Sequence, residues 1–288
     1  MTRILVFGSI NVDYVAPVSR LPGPGETIKT DNYEALPGGK GANQALAAAR
    51  NGASTAMVGA IGSDGLETVS LSQLKAAGVE LSGVKSCAGA SGLAMIAVDA
   101  GGENQIVVVS GANALAQADQ LSELNAVACL VTQNEVDWAQ TALAHSLAKQ
   151  AGVRVVHNAA PAHELTDPEL ANIDTLVVNE HELSLAAKCP SSASDDEKAL
   201  DILSRGVGAV VLTLGAQGAK LYENGKASVS VAAVPTQVVD TTGAGDAFVG
   251  ALAAALADGD SLDIGIAKSN AYAARVCAVM GAQTVPVD

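Results

Sequence analysis

Asp240-Thr241-Thr242-Gly243-Ala244-Gly245-Asp246 is followed by Ala247-Phe248-Val249-Gly250-Ala251-Leu252, in which Phe248, Leu252 and then Leu256 recur at helical spacing. A glycine-rich turn therefore opens a helix. Backbone N–H groups at such a start have no helical partner, and the helix dipole adds partial positive charge. The turn around Gly243, Ala244 and Gly245 can thus hold a phosphoryl group in transfer. Asp246, in the first helical turn, would lie within reach of a hydroxyl brought against that phosphate, the position of a general base. An acid in a first helical turn also compensates the dipole, and a lone Gly-x-Gly-Asp leaves both roles open.

A second motif is Pro37-Gly38-Gly39-Lys40-Gly41-Ala42-Asn43-Gln44-Ala45, again at a predicted helix start. Its glycines expose backbone, and the Asn43 amide offers both donor and acceptor, a combination suited to a polyhydroxylated ligand. It is not a Walker A loop, because Gly41 follows Lys40 where Ser or Thr would be needed. No Gly-x-Gly-x-x-Gly dinucleotide fingerprint occurs in the chain.

These loops need a scaffold, and the hydrophobic pattern describes one. Short β-rich runs alternate with helical stretches: Ile4–Phe7 then Ala42–Arg50, Ala56–Ala60 then Leu66–Ala76, Ala126–Val131 then Trp138–Gln150, Val153–His157, Thr175–Val178 then Glu180–Lys188, and Ala209–Leu214. Strands that alternate with helices pair in parallel through right-handed crossovers, so the expected body is a doubly wound α/β sheet flanked by helices. Two segments break the rhythm. Residues 12–37 hold two β-like stretches and four prolines, and residues 92–110 hold two β runs around Gly101-Gly102-Glu103-Asn104. Together they predict either a small β lid over the site or an ordinary edge extension. Ser194 and Glu197 form a capping box before a further helix. No repeat or linker divides residues 1–288, which are expected to form one domain.

Composition narrows the partners. The 288 residues carry a net charge of −14, which disfavours a nucleic-acid backbone over most of the surface. Hydrophobic residues make up 49% but aromatic residues only 2%, so the core must be packed from small aliphatic side chains. Cys87, Cys129, Cys189 and Cys277 are scattered and read as reduced thiols, and the histidines lack zinc-ligand spacing. The apolar run Ile4–Phe7 is too short for a signal segment and nothing reaches transmembrane length, so a cytoplasmic protein without membrane partners is expected.

The pair of loops, some 200 residues apart, resembles the ribokinase-like family of carbohydrate and nucleoside kinases, with likeness from Gly8 to about Val285. The resemblance implies a ribokinase-like fold with a β lid, and ATP-dependent transfer to a sugar primary hydroxyl, D-ribose foremost. Deoxyribose, fructose or nucleoside acceptors, or a sugar-binding regulatory protein without turnover, are the alternatives. By the same likeness Asn11, Asp13, Gly39, Lys40, Asn43 and Glu135 would bind the sugar together with Asp246. Asn179 and Glu182, in Asn179-Glu180-His181-Glu182, would lie near Mg²⁺ and phosphate, the metal held through water. Thr213, Gly215 and Asn270 would border the nucleotide.

It also implies a K⁺ site from Asp240, the Thr242 carbonyl, and carbonyls around Val276, Val279 and Gly281, with Val285 where the family often has a hydroxyl. A homodimer joined through the lid is expected as well. Asn158-Ala159-Ala160-Pro161 departs from the family's usual Asn-Pro-Ala-Pro, and the family's last helical segment is expected to be missing after Val285.

Overall fold

A computed structural model describes residues 3–284. In chain order the first part runs β1 (Arg3–Phe7), β2 (Asn11–Pro17), β3 (Glu34–Gly38), α1 (Lys40–Arg50), β4 (Ser54–Gly62), the short α2 (Glu67–Ser70) and α3 (Ser72–Ala76), β5 (Glu80–Cys87), β6 (Gly92–Val98) and β7 (Asn104–Val109). The middle holds β8 (Val127–Thr132), α4 (Trp138–Gln150), β9 (Arg154–Asn158), α5 (Asp167–Leu170), β10 (Thr175–Asn179), α6 (Glu180–Ala186), α7 (Asp195–Ser204) and β11 (Ala209–Thr213). The last part is β12 (Ala219–Glu223), β13 (Val229–Val231), α8 (Ala244–Ala257) and α9 (Leu262–Cys277).

The large sheet has the order β13-β12-β11-β10-β9-β8-β1-β4-β5. Every pair from β11 to β5 is parallel, and β12 and β13 add an antiparallel edge. Side chains alternate across a strand, and β1 shows what that dictates in a sheet covered on both faces. Leu5 and Phe7 join the core beneath Ala144 and Ala148 of α4, Leu183 of α6 and Ile202 of α7. Ile4 and Val6 join the opposite core, with Leu46 of α1, Phe248 and Leu252 of α8, and Ile266 of α9.

On that second face α1 and α8 pack unusually close. A Cβ on Gly250 would stand 2.4 Å from the Gln44 carbonyl oxygen, so the approach depends on a residue without a side chain. Ala47, Ala247 and Ala251 continue this small-residue seam. The closeness matters, because it brings the starts of the two helices together.

A second sheet, β3-β2-β6-β7, forms from the two segments that break the βα rhythm. Its centre pairs β2 with β6 in parallel, and β3 and β7 flank them antiparallel. The β6–β7 turn is held by Asp99, whose Oδ1 accepts the N–H groups of Gly101 and Glu103. Every residue of β7 is exposed.

One predicted helix is not continuous. Residues 66–76 form α2 and α3, joined at Leu71. Here Thr68 Oγ1 donates to the Gly65 carbonyl and Ser72 Oγ to the Val69 carbonyl, local side-chain bonds that compete with the helical ladder. Elsewhere α4 spans Trp138–Gln150 as the apolar period predicts, and Ser194 and Glu197 cap α7 reciprocally. Among the described residues no helix is long and apolar enough to cross a membrane.

Candidate active site

The parallel strands end on a common edge, where the loops that follow them converge. The start of α1 has no acid of its own in the first turn, so its free N–H groups find partners elsewhere. Lys40 N donates to Glu135 Oε2 at 3.0 Å, and Gly41 N donates to Ser9 Oγ at 3.2 Å. Ser9 Oγ donates in turn to Glu135 Oε2 at 2.6 Å. Glu135, just beyond β8, thereby ties the glycine-rich loop after β3 to the central sheet and keeps one carboxylate oxygen for other work.

Three residues further on, α1 meets α8. Asn43 Nδ2 donates to Asp246 Oδ2 and Gln44 Nε2 to Asp246 Oδ1, each at 3.0 Å. Asp246 is only 6% exposed, yet it borders a cavity of about 160 Å³. The cavity is also lined by Lys40, Asn158, Ala160, Val177, Asn179, Glu182, Thr213, Gly243 and Gly245. Gly243 adopts a left-handed conformation at φ 75° to begin α8, and no side chain caps that helix start. Ala244, expected beside these glycines, does not line the cavity, and its N–H donates to the Thr241 carbonyl at 3.2 Å.

Charge is concentrated here. The Asp13 carboxyl is pushed up to about 6 by burial, then by the nearby Glu135 and Asp246 charges, with Lys40 opposing. Lys40 is pushed up by Asp246 against the cost of its burial, and Glu135, Glu182 and Asp13 add to the effect. Glu182 is raised by burial despite its bond from the Asn179 N–H and the attraction of Lys40. Lys40 thus stands as the cation among four carboxylates. Carboxylates and amides accept and donate to hydroxyls, and an uncapped helix start accepts phosphate, so the cavity joins the two kinds of recognition.

The remaining expected residues fall at measurable places around this centre. Asn11 is buried at the start of β2, with Oδ1 taking the Asn113 Nδ2 at 2.7 Å. Gly39 immediately precedes α1. Asn179 and Glu182 form a capping box on α6, with reciprocal 2.8 Å bonds to each other's backbone N–H groups. Thr213 Oγ1 donates to the Val178 carbonyl at 3.2 Å. Gly215 and Asn270 lie outside the cavity lining, and Asn270 Nδ2 bonds the Val231 and Ala232 carbonyls instead.

Asp240 accepts the Thr242 N–H at 2.9 Å and the Gly281 N–H at 2.8 Å, so it joins its own turn to the loop after α9. Burial raises its carboxyl, but these hydrogen bonds outweigh burial and leave it below the usual range. The Val276 carbonyl accepts the Val279 N–H and the Gly281 carbonyl the Thr284 N–H. Val285 lies outside the described residues.

The sequence pattern assigns no role to Ser9, Gln44, Gln133, Asn158 or Gln283, and nothing in it singles out Asn113. The structure places Gln44, Gln133, Asn158 and Gln283 in one polar network with Asp246 and Asn43. A signal existed for Gln44, a polar residue on the otherwise apolar buried face of α1. Gln283 has no such signal. A larger hollow of about 420 Å³, lined by residues such as Lys149, Arg154 and Asp174, lies at the opposite, amino ends of β8 to β10. The Lys149–Asp174 ion pair occupies it, and none of the charged cluster reaches it.

Comparison with known proteins agrees with this architecture. A model of the pfkB family of carbohydrate kinases matches residues 1–288. A ribokinase of Haemophilus influenzae is 35% identical over 290 residues, covering 98% of this chain and 94% of that protein. A ribokinase of Schizosaccharomyces pombe is 38% identical over 281 residues, covering 91% and 87%. Arabidopsis thaliana ribokinase complexed with ribose and ATP superposes with a TM-score of 0.91 at 31% identity, over 98% of this chain and 95% of that one. From the two glycine-rich loops to the full span of both sheets, the chain belongs to the pfkB family of carbohydrate kinases.

Proposed function

We propose that the protein transfers the γ-phosphoryl group of ATP to the primary 5-hydroxyl of D-ribose. The observation that carries this reading is the placement of Asp246. A carboxylate stands at an uncapped helix start, on a cavity, with Lys40 beside it and the Asn43 amide of α1 bonded to it. Asp246 accepts the hydroxyl proton as the oxygen attacks phosphorus in line, and the N–H groups around Gly243 and Gly245 stabilise charge on the transferring group. The relatives that match over most of the chain are ribokinases, and the superposed plant enzyme holds ribose and ATP, which supports sugar and nucleotide as the two substrates.

Sugar hydroxyls fit Asn11, Asp13, Gly39, Lys40, Asn43 and Glu135. Thr213, Gly215 and Asn270 flank the nucleotide. Asn179 and Glu182 spend an oxygen each on their capping box, so the pair suits a hydrated Mg²⁺ met through water rather than a directly ligated one. The metal, when bound, neutralises part of the triphosphate charge. Asp240, the Thr242 carbonyl and the Val276–Gly281 loop form a K⁺ site that orders the phosphate-holding turn. The second sheet acts as a lid that excludes water, and the exposed β7 edge joins two copies as a homodimer. A cytoplasmic setting follows from substrates that are free sugar and ATP.

The test is a coupled assay with Mg-ATP and a panel of ribose, deoxyribose, fructose and adenosine. Ribose should give the highest kcat/KM, and ATP hydrolysis without sugar should be at least about tenfold slower than transfer. Adenosine turned over as well as ribose would overturn the substrate, and absence of any sugar-dependent turnover would overturn the activity.

A further inference from the structure

Gln44 is fully buried, and every polar atom of its amide is engaged. Nε2 donates to Asp246 Oδ1 at 3.0 Å and to Asn158 Oδ1 at 3.2 Å, while Oε1 accepts Gln133 Nε2 at 2.7 Å. A buried amide without partners is costly, so a glutamine on the apolar face of α1 must answer to something polar. What it answers to is Asp246. The Asp246 carboxylate, which can only accept, settles which end of the Gln44 amide faces it and leaves Oε1 to receive the Gln133 N–H. Gln133 Oε1 has no partner of its own, so its orientation is set by Gln44 and not by its other surroundings.

The other oxygen of Asp246 is held differently. Asn43 Nδ2 reaches Oδ2 at 3.0 Å, but Asn43 is only half-buried, and its own amide is steadied by Gln283 Nε2 at 2.8 Å from the loop after α9. A carboxylate held at one oxygen can still pivot about that bond. Two donors on two oxygens fix its plane, and each oxygen keeps a further lone pair for an incoming proton.

We propose that Gln44 is a positioning residue for phosphoryl transfer, holding the Asp246 carboxylate from its buried side through the chain Gln133 to Gln44 to Asp246. This rests on Asp246 being the base of the proposed kinase. Gln44 does not line the cavity, so any effect on the reaction passes through the groups it holds, the Asp246 carboxylate and, more loosely at 3.2 Å, Asn158. A misplacement of about 1 Å in a reacting group costs on the order of 10²-fold in rate, which sets the scale.

The experiment compares ribose kinetics of wild type, Gln44→Met, Asp246→Asn and the double variant, with Gln133→Met as an independent route. Gln44→Met should lower kcat by about 30- to 100-fold while KM for ribose stays within about threefold. In the Asp246→Asn background the same change should cost less than about twofold, because no base remains to be aimed. Gln133→Met, which leaves the donor in place but frees its amide to turn, should fall between, at about five- to tenfold in kcat, and it carries the comparison if Gln44→Met fails to fold. Near-normal kcat in both glutamine variants would overturn the proposal, as would an equal loss in the two Asp246 backgrounds, which is the mark of general structural damage. Asp246→Asn with wild-type kcat would overturn the base assignment, and Gln44 with it. A wild type inactive on every sugar would instead refute the kinase reading.

Discussion

Asp13→Asn should make the protein more stable while weakening its hold on the sugar. The Asp13 carboxyl is raised from 3.8 to about 6 by burial, then by Glu135 and Asp246, with Lys40 opposing. A carboxyl that is harder to ionise in the folded chain than in the unfolded one makes folding less favourable as it ionises. The penalty is absent below about 3.8, grows between 3.8 and about 6, and is complete above that. Going from 3.8 to about 6 corresponds to about 3 kcal/mol at pH 8, falling to about 1.6 kcal/mol at pH 5, where the folded carboxyl is mostly protonated. Asparagine keeps the shape and removes the charge, and Lys40 still faces Asp246, Glu135 and Glu182. For a chain of this length about 3 kcal/mol is worth about 5 °C in Tm. The assay is thermal unfolding without ligand at both pH values, with the ribose KM measured alongside. Tm should rise by about 5 °C at pH 8 and by roughly half that at pH 5, while KM rises at least tenfold. A variant no more stable than wild type at pH 8, or an increment independent of pH, would refute the electrostatic reasoning.

Three further outcomes follow from the same geometry. Ribose hydroxyls favour the ionised Asp13, so ribose affinity should rise about tenfold from pH 5 to pH 7.5, the range that spans its raised pKa of about 6; a flat profile by calorimetry would exclude Asp13 from the sugar site. Potassium should raise kcat/KM for ribose over sodium or a bulky organic cation at fixed ionic strength, and Asp240→Ala should abolish the difference; equal wild-type rates in all three salts would dispose of the cation site. Val108→Lys, which puts a charge on the exposed β7 edge, should shift sedimentation from dimer to monomer at micromolar concentration; a monomeric wild type would remove the dimer altogether.

Much of this was legible because each part of the site announces itself by a local rule. Alternation of apolar runs gave the parallel core, since Ile4 to Phe7 can be apolar throughout only if both faces are covered. The glycines before α1 and α8 marked the two loops. The two segments without helical period, 12–37 and 92–110, became the second sheet. What escaped was set by tertiary contact. Nothing local says that β2 pairs in parallel with β6, or that Leu71 divides a helix whose apolar period is intact. Gln283 reaches Asn43 across 240 positions of chain, and Asn113 reaches Asn11 across 102. Such partners have no periodicity to betray them, and their identity depends on which loops the sheet order brings together.

The charge pattern carries one more step. Among the described residues that line the cavity, Lys40 is the cation, and Asp246 and Glu182 are anions. Asp13 and Glu135 add negative charge close enough to raise Lys40. Hydroxyl groups suit such a place, because carboxylates accept their hydrogen bonds and pay no charge repulsion. A nucleotide triphosphate does not, because it brings several negative charges toward Asp246 and Glu182 in a chain already at −14. One lysine and one helix start cannot balance that charge while Lys40 is also engaged by four carboxylates. On the proposed reading phosphate binding would be conditional on added positive charge, and Glu182 and Asn179 are an acid and an amide that stand together on the cavity away from the α1 start. A divalent cation arriving with the nucleotide meets that condition. On the proposed reading such a site should bind sugar without help and the nucleotide only as its metal complex, so titration of ATP by calorimetry should show binding with Mg²⁺ and none with a chelator present.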